Sequence, residues 1–115
     1  MKRIVIVCIF VMVAAFAFAA DKPASVTVKG EVIDTYCYVA NGQAGEEHAG
    51  CGTGCLKHGI PVGLLEGKKL YILLPTKEGG EIPAALKEKV GKSVSVTGHA
   101  YTAGGSSFLT VESFK

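Results

Sequence analysis

Apolar and polar residues alternate through Ser25–Asp34 (SVTVKGEVID), which sets Val26, Val28 and Val32 on one face as in a half-buried strand. Gly30 in its middle predicts a bulge or a sharp bend. A second apolar stretch, Val62–Leu65, is followed by the turn residues Glu66-Gly-Lys-Lys69 and then by Leu70–Leu74, which predicts a hairpin closed at Gly67. Pro75 ends its second arm, because proline has no N–H to give to a ladder. Periodicity then changes from two to about 3.6. Over Ile82–Gly91, Pro83 suits a first helical turn, Leu86 and Val90 share a face, and Gly91 suits a C-terminal stop, so a helix of about two to three turns is expected. Alternation returns in Ser93–Tyr101 and Phe108–Phe114, joined by Thr102–Ser107 with its Gly-Gly pair.

The resulting order is strand, insert, strand, strand, helix, strand, strand. That is the order of a mainly β, five-stranded OB-like Greek-key barrel with its helix between strands 3 and 4. Closure of the barrel would remove the edges that five short strands otherwise expose. A small sandwich of the same strands is the alternative.

The first residues change the picture of where this barrel works. Lys2 and Arg3, the apolar run Ile4–Phe16 and the small-x-small step Ala17-Phe18-Ala19 read as a secretory signal peptide over 1–19. Residues 20–115 are then one OB-like domain, exported to a periplasmic or secreted location, with no stable membrane span once the leader is removed. Cys8 would leave with the leader. Of twelve basic residues two lie in the leader, and the ten that remain balance ten acidic ones. A neutral chain lacks the basic face that nucleic-acid binding needs.

The candidate chemistry is concentrated in the insert between strands 1 and 2, about residues 36–60. It holds Cys37, Cys51 and Cys55, which are all the cysteines beyond the leader, together with His48 and His58. If Glu46–His58 is helical, His48, Cys51, Cys55 and His58 fall within an arc of roughly 80°. Gly50, Gly52 and Gly54 weaken such a helix by up to about 1 kcal/mol each relative to alanine, so a short, irregular helix held by packing or by an ion is expected. Cys37, His48, Cys51 and Cys55 supply the three thiolates and one imidazole of a tetrahedral zinc site, and the same donors suit cuprous copper.

Two other readings of the same cysteines stay open. In an exported chain one disulfide, Cys37 with Cys51 or Cys55, would staple the insert and leave a spare thiol. Thiol redox chemistry would need a lowered thiol pKa. The spacing Cys51-Gly-Thr-Gly-Cys55-Leu-Lys-His58 does not fit covalent haem attachment. Nothing in the sequence supplies an orienting partner or oxyanion motif for a Cys/His nucleophile, so no catalytic set emerges. His58 reads as the polar end of a helix, His99 as a strand histidine, Glu46 and Glu47 as solvated residues favouring a helix start, and Tyr36 and Tyr38 as packing or exposed aromatics.

The run Gly30-Glu-Val-Ile-Asp34 with Cys37, His48, Cys51, Cys55 and Gly59-Ile-Pro-Val-Gly63 resembles a group of small exported bacterial proteins that carry an OB-like domain with a Cys/His insert. The resemblance spans most of the chain after the leader and implies the fold and export, but no activity. Gly52 departs from that pattern, where a better helix former is usual. The expectation that follows is an exported barrel holding zinc or copper for stability or for metal handling, with an envelope protein as a further partner; a disulfide-stapled binding module and a thiol-redox protein are the alternatives.

Overall fold

A computed structural model describes residues 22–115, so the signal-peptide expectation for 1–19 lies outside the described residues. The elements are β1 (Ser25–Asp34), α1 (Thr35–Asn41), a 3-10 turn (Glu46–His48), α2 (Ala49–Lys57), β2 (Val62–Glu66), β3 (Lys69–Leu74), α3 (Ala84–Lys87), β4 (Ser93–Ala103), β5 (Ser106–Thr110) and β6 (Ser113–Phe114). The strands follow one another in the sheet as β1-β2-β3-β5-β4, and a β1–β4 ladder closes the barrel, with β6 added beside β4. All these pairs are antiparallel except β3 with β5. This is the expected closed five-stranded, mainly β barrel, with a helix after β3 and a helical insert after β1.

β1 serves two neighbours in turn. Its first part, Ser25–Glu31, pairs with β4, and its second, Glu31–Asp34, pairs with β2. The ladders run through Gly30 with no extra residue, so the expected bulge is replaced by a close approach. A Cβ at Gly30 would stand 2.6 Å from the Leu65 carbonyl oxygen, and only a residue without one lets β2 cross there. Val28, Val32, Leu64, Leu73, Val96 and Leu109 point into the barrel and are buried. Val26, expected on the same face as Val28, is 37% exposed, because it lies beyond the packed interior.

Two elements differ in length from expectation. The helix predicted over Ile82–Gly91 forms only at Ala84–Lys87, with Pro83 in extended geometry ahead of it. Val90 then bridges to Val32, and the Gly91 N–H donates to the Val32 carbonyl. Tertiary pairing to β1 outcompetes continuation of the helix past Lys87, while Leu86 and Val90 both stay buried as their spacing required. The last predicted strand is split. After β5 the Val111 N–H donates to Leu74 and the Glu112 N–H to Thr97, which carries the chain from the β3 side across to β4, where β6 pairs. The β4–β5 turn is Gly104-Gly105, both with positive φ, as a two-residue hairpin turn demands.

No helix among the described residues is long and apolar enough to cross a membrane.

Candidate metal centre

Asp34 closes β1 and opens the insert. Its backbone is extended and its side chain caps α1, the Cys37 N–H donating to Oδ1 at 2.8 Å. The helix ends after two turns at Gly42, whose left-handed φ of 68° lets its own N–H donate to the Tyr38 carbonyl and the Gln43 N–H to the Cys37 carbonyl. These two ends fix Cys37 on the inward face of α1, 7% exposed. At the far end of the insert the Thr35 N–H and hydroxyl both donate to the Pro61 carbonyl, so the insert leaves and rejoins the barrel at one point.

The 3-10 turn decides what happens to His48. The tighter winding of Glu46–His48 ends just before α2 begins, which rotates His48 off the face that carries Cys51 and Cys55. Its Nε2 meets Asp34 Oδ2 at 2.8 Å, with the His48 side chain 10% exposed and Asp34 fully buried. Asp34 therefore uses one oxygen for each of the two helical segments, α1 and the start of α2.

α2 is helical over nine residues despite its three glycines, and two features explain this. Leu56 is buried in the barrel core, which anchors the helix through packing. Gly52 lies against the barrel: a Cβ there would sit 2.6 Å from Val90 Cγ1 and 3.2 Å from Asp34 Oδ2. The glycine that weakens the helix in isolation is the one that lets it dock. Cys51 and Cys55, one turn apart, then face Cys37 across the gap.

The outcome is a cluster of three thiols, Cys37, Cys51 and Cys55, whose sulfurs lie within 4.8 Å of one another, and a second set, Asp34, Cys37 and His48, whose donor atoms meet the same limit. Cys37 belongs to both. Either set could hold a metal ion, the first through sulfur alone and the second through oxygen, sulfur and nitrogen. All three cysteines are free thiols, graded from buried Cys37 through half-buried Cys55 to exposed Cys51.

Comparison with protein families, with curated proteins and with solved structures returns no match. The chemistry of the centre is therefore read from its own side chains.

Burial pushes the Cys37 thiol up to about 12, with the hydrogen bond and charge of Asp34 and the nearby Cys55 thiol acting in the same direction. Burial would also raise the Asp34 carboxyl, but the Cys37 N–H and the His48 ring outweigh it and hold that carboxyl below its ordinary range. Asp34 is thus a buried carboxylate satisfied on both oxygens, and Cys37 beside it carries its proton. Such a thiol is a poor nucleophile. A cation changes this balance, because it replaces the proton on sulfur and offsets the neighbouring carboxylate.

Of the four ligands expected from sequence, the structure brings Cys37, Cys51 and Cys55 together and places His48 next to Cys37 but on Asp34. His58 is the exposed residue after α2, at the helix end where the sequence reading put it. Asp34 was missed as a site residue. α1 itself was not expected, and the one signal for it was an aspartate placed as an N-cap directly after the first strand. His99 is more engaged than a bland strand histidine: its Nδ1 donates to the Pro23 carbonyl at 2.6 Å and its Nε2 meets Glu112 Oε1 at 2.9 Å, which ties the segment before β1 to the barrel wall.

Proposed function

We propose that this protein is an exported metal-binding barrel in which the insert between β1 and β2 holds one soft ion, zinc or copper, for metal handling or stabilisation in the cell envelope. The observation that carries the reading is the convergence of three sulfurs from two separate helices to within 4.8 Å. Cysteines that only filled space would have no reason to converge, and thiolate is the donor that zinc and cuprous copper take in preference to carboxylate or water. The leader-like first residues and the resemblance to small exported OB-like proteins support the location. The balance of ten basic and ten acidic residues after the leader supports an ion or an envelope protein as partner, not a nucleic acid.

The test is the intact mass of protein purified from its export compartment, taken without reductant under native and then denaturing conditions. A native mass higher by one metal ion, with three free thiols after denaturation, is expected. The proximity of the sulfurs equally favours one disulfide, which would lower the mass by about two protons and leave a single thiol. That result, with no ion, would replace the metal reading by a stapled insert. Metal content that survives in the Cys37, Cys51 and Cys55 triple serine variant would place the ion elsewhere.

A further inference from the structure

Resting on that reading, we propose that the ion is cuprous copper, bound in three-coordination by Cys37, Cys51 and Cys55 with no nitrogen ligand. Three sulfurs around an ion at ~2.3 Å each lie ~4 Å apart when the four atoms are coplanar. The sulfurs are already within 4.8 Å, so small side-chain rotations about fixed helices are sufficient to close the triangle.

A closed zinc site needs a fourth protein donor, and its supply is the deciding feature. Among the described residues no fourth His, Cys, Asp or Glu donor joins the three sulfurs within that limit. His48 is the nearest imidazole, and its Nε2 is committed to Asp34 at 2.8 Å. Recruiting that nitrogen would leave one oxygen of a fully buried carboxylate without a partner, since every buried side-chain polar atom among the described residues is satisfied as the molecule stands, and neither ring nitrogen lies within the limit of all three sulfurs. The three-sulfur set therefore has no nitrogen donor of its own, and His48 meets Cys37 only in the separate set that includes Asp34. A monovalent ion with a preference for thiolates and low coordination numbers matches that offer in full, whereas zinc would have to complete its tetrahedron with water.

Access fits as well. Cys51 is exposed, Cys55 is half-buried and Cys37 is buried, so an ion arriving on a small thiol carrier meets the sulfurs in that order. Each copper–sulfur bond formed releases one thiol proton to solvent or to the departing carrier sulfur, and copper stays in the +1 state throughout.

The experiment uses the mature, fully reduced protein under anaerobic conditions. Cuprous ion is supplied as its bicinchoninate complex and zinc as the free ion in a parallel sample, and each loaded form is examined by X-ray absorption at the metal edge. One cuprous ion retained against excess bicinchoninate, with a shell of three sulfurs and no nitrogen, is the expected result. Retained copper with a nitrogen neighbour at ~2.0 Å would overturn the three-sulfur assignment by placing His48 in the shell. Copper lost to the chelator while zinc is held would overturn the cuprous assignment and leave the soft-ion reading standing. Loss of both ions would remove that reading too.

Discussion

Asp34→Ala probes the junction on which the candidate centre is built. The substitution removes an N-cap that holds the Cys37 N–H at 2.8 Å, a loss of about 1 kcal/mol. It also leaves His48 Nε2, now paired at 2.8 Å inside a largely buried site, without a partner, which costs about 1–3 kcal/mol. The expected destabilisation of the metal-free protein is about 2–4 kcal/mol, a sizeable part of the stability of a small domain. In urea this moves the unfolding midpoint down by about 1–3 M. Asp34→Asn separates the two contributions. Its carbonyl oxygen still accepts from Cys37, and its amide can donate to His48 once the ring proton sits on Nδ1, so a loss of about 1 kcal/mol is expected. The pH dependence has a definite sign. The folded carboxyl lies below its ordinary 3.8, so its stabilisation is present above that value and disappears as pH falls through the folded pKa; the Asn variant lacks this acid-side loss. An alanine variant within 0.5 kcal/mol of wild type, or equal losses for Asn and Ala measured by urea titration at about pH 7, would refute the bridging role.

The three glycines of α2 divide by environment. Gly50→Ala and Gly54→Ala meet nothing within 4 Å and should each stabilise the apo protein by up to about 1 kcal/mol in thermal or urea unfolding, whereas Gly52→Ala, against Val90 and Asp34, should destabilise it. Iodoacetamide at about pH 8 should modify exposed Cys51 first and leave Cys37 untouched until the chain unfolds, since a thiol near 12 carries ~1000-fold less thiolate than one at the ordinary 9.0; early labelling of Cys37 in a peptide map would contradict its burial. Gly98→Ala should prevent a well-folded barrel, because its Cβ would lie 1.7 Å from the Thr110 carbonyl oxygen, and a native-like circular dichroism spectrum with an unchanged melting temperature would count against the β4–β5 packing described here.

The barrel was largely legible in the sequence because alternation is a local signal. Ser25–Asp34, Val62–Leu65 and Leu70–Leu74 each declare their faces within a few residues, and burial follows that pattern at Val28, Val32, Leu64 and Leu73. The two errors of extent are non-local. Nothing near Val90 announces that it will bridge to Val32, and nothing near Val111 announces a hydrogen bond to Leu74. The candidate centre shows the same division. Spacing pointed to a shared helical face for His48, Cys51, Cys55 and His58, of which Cys51 and Cys55 meet Cys37. The place of His48 depends on a single 3-10 turn after Gly45 and on Asp34, fourteen residues earlier, and a uniform 100° per residue cannot express that change of winding. Gly52 was readable only as a helix weakener, since its benefit lies in Val90, far along the chain.

The way the insert joins the barrel bears on what an ion does there. The ladder that closes the sheet, β1 with β4, and all the other strand pairings use no residue between Thr35 and Pro61. Barrel closure therefore does not wait for a metal, unlike a small domain whose only core is its zinc site. The insert is also held without one: Thr35 ties to Pro61, Asp34 braces both helical segments, and Leu56 sits in the core. Most of the cost of ordering these residues is met by packing and hydrogen bonds, so binding energy at the sulfurs is not consumed in folding the chain. An ion present at a hundred times its Kd would then add about 2.7 kcal/mol to an already folded protein. The apo form should keep its far-ultraviolet circular dichroism and lose only melting temperature when a chelator removes the ion. A collapse of the barrel signal on chelation would instead make the ion structural. Retention of the fold on chelation is the outcome that metal handling requires and a purely structural ion does not.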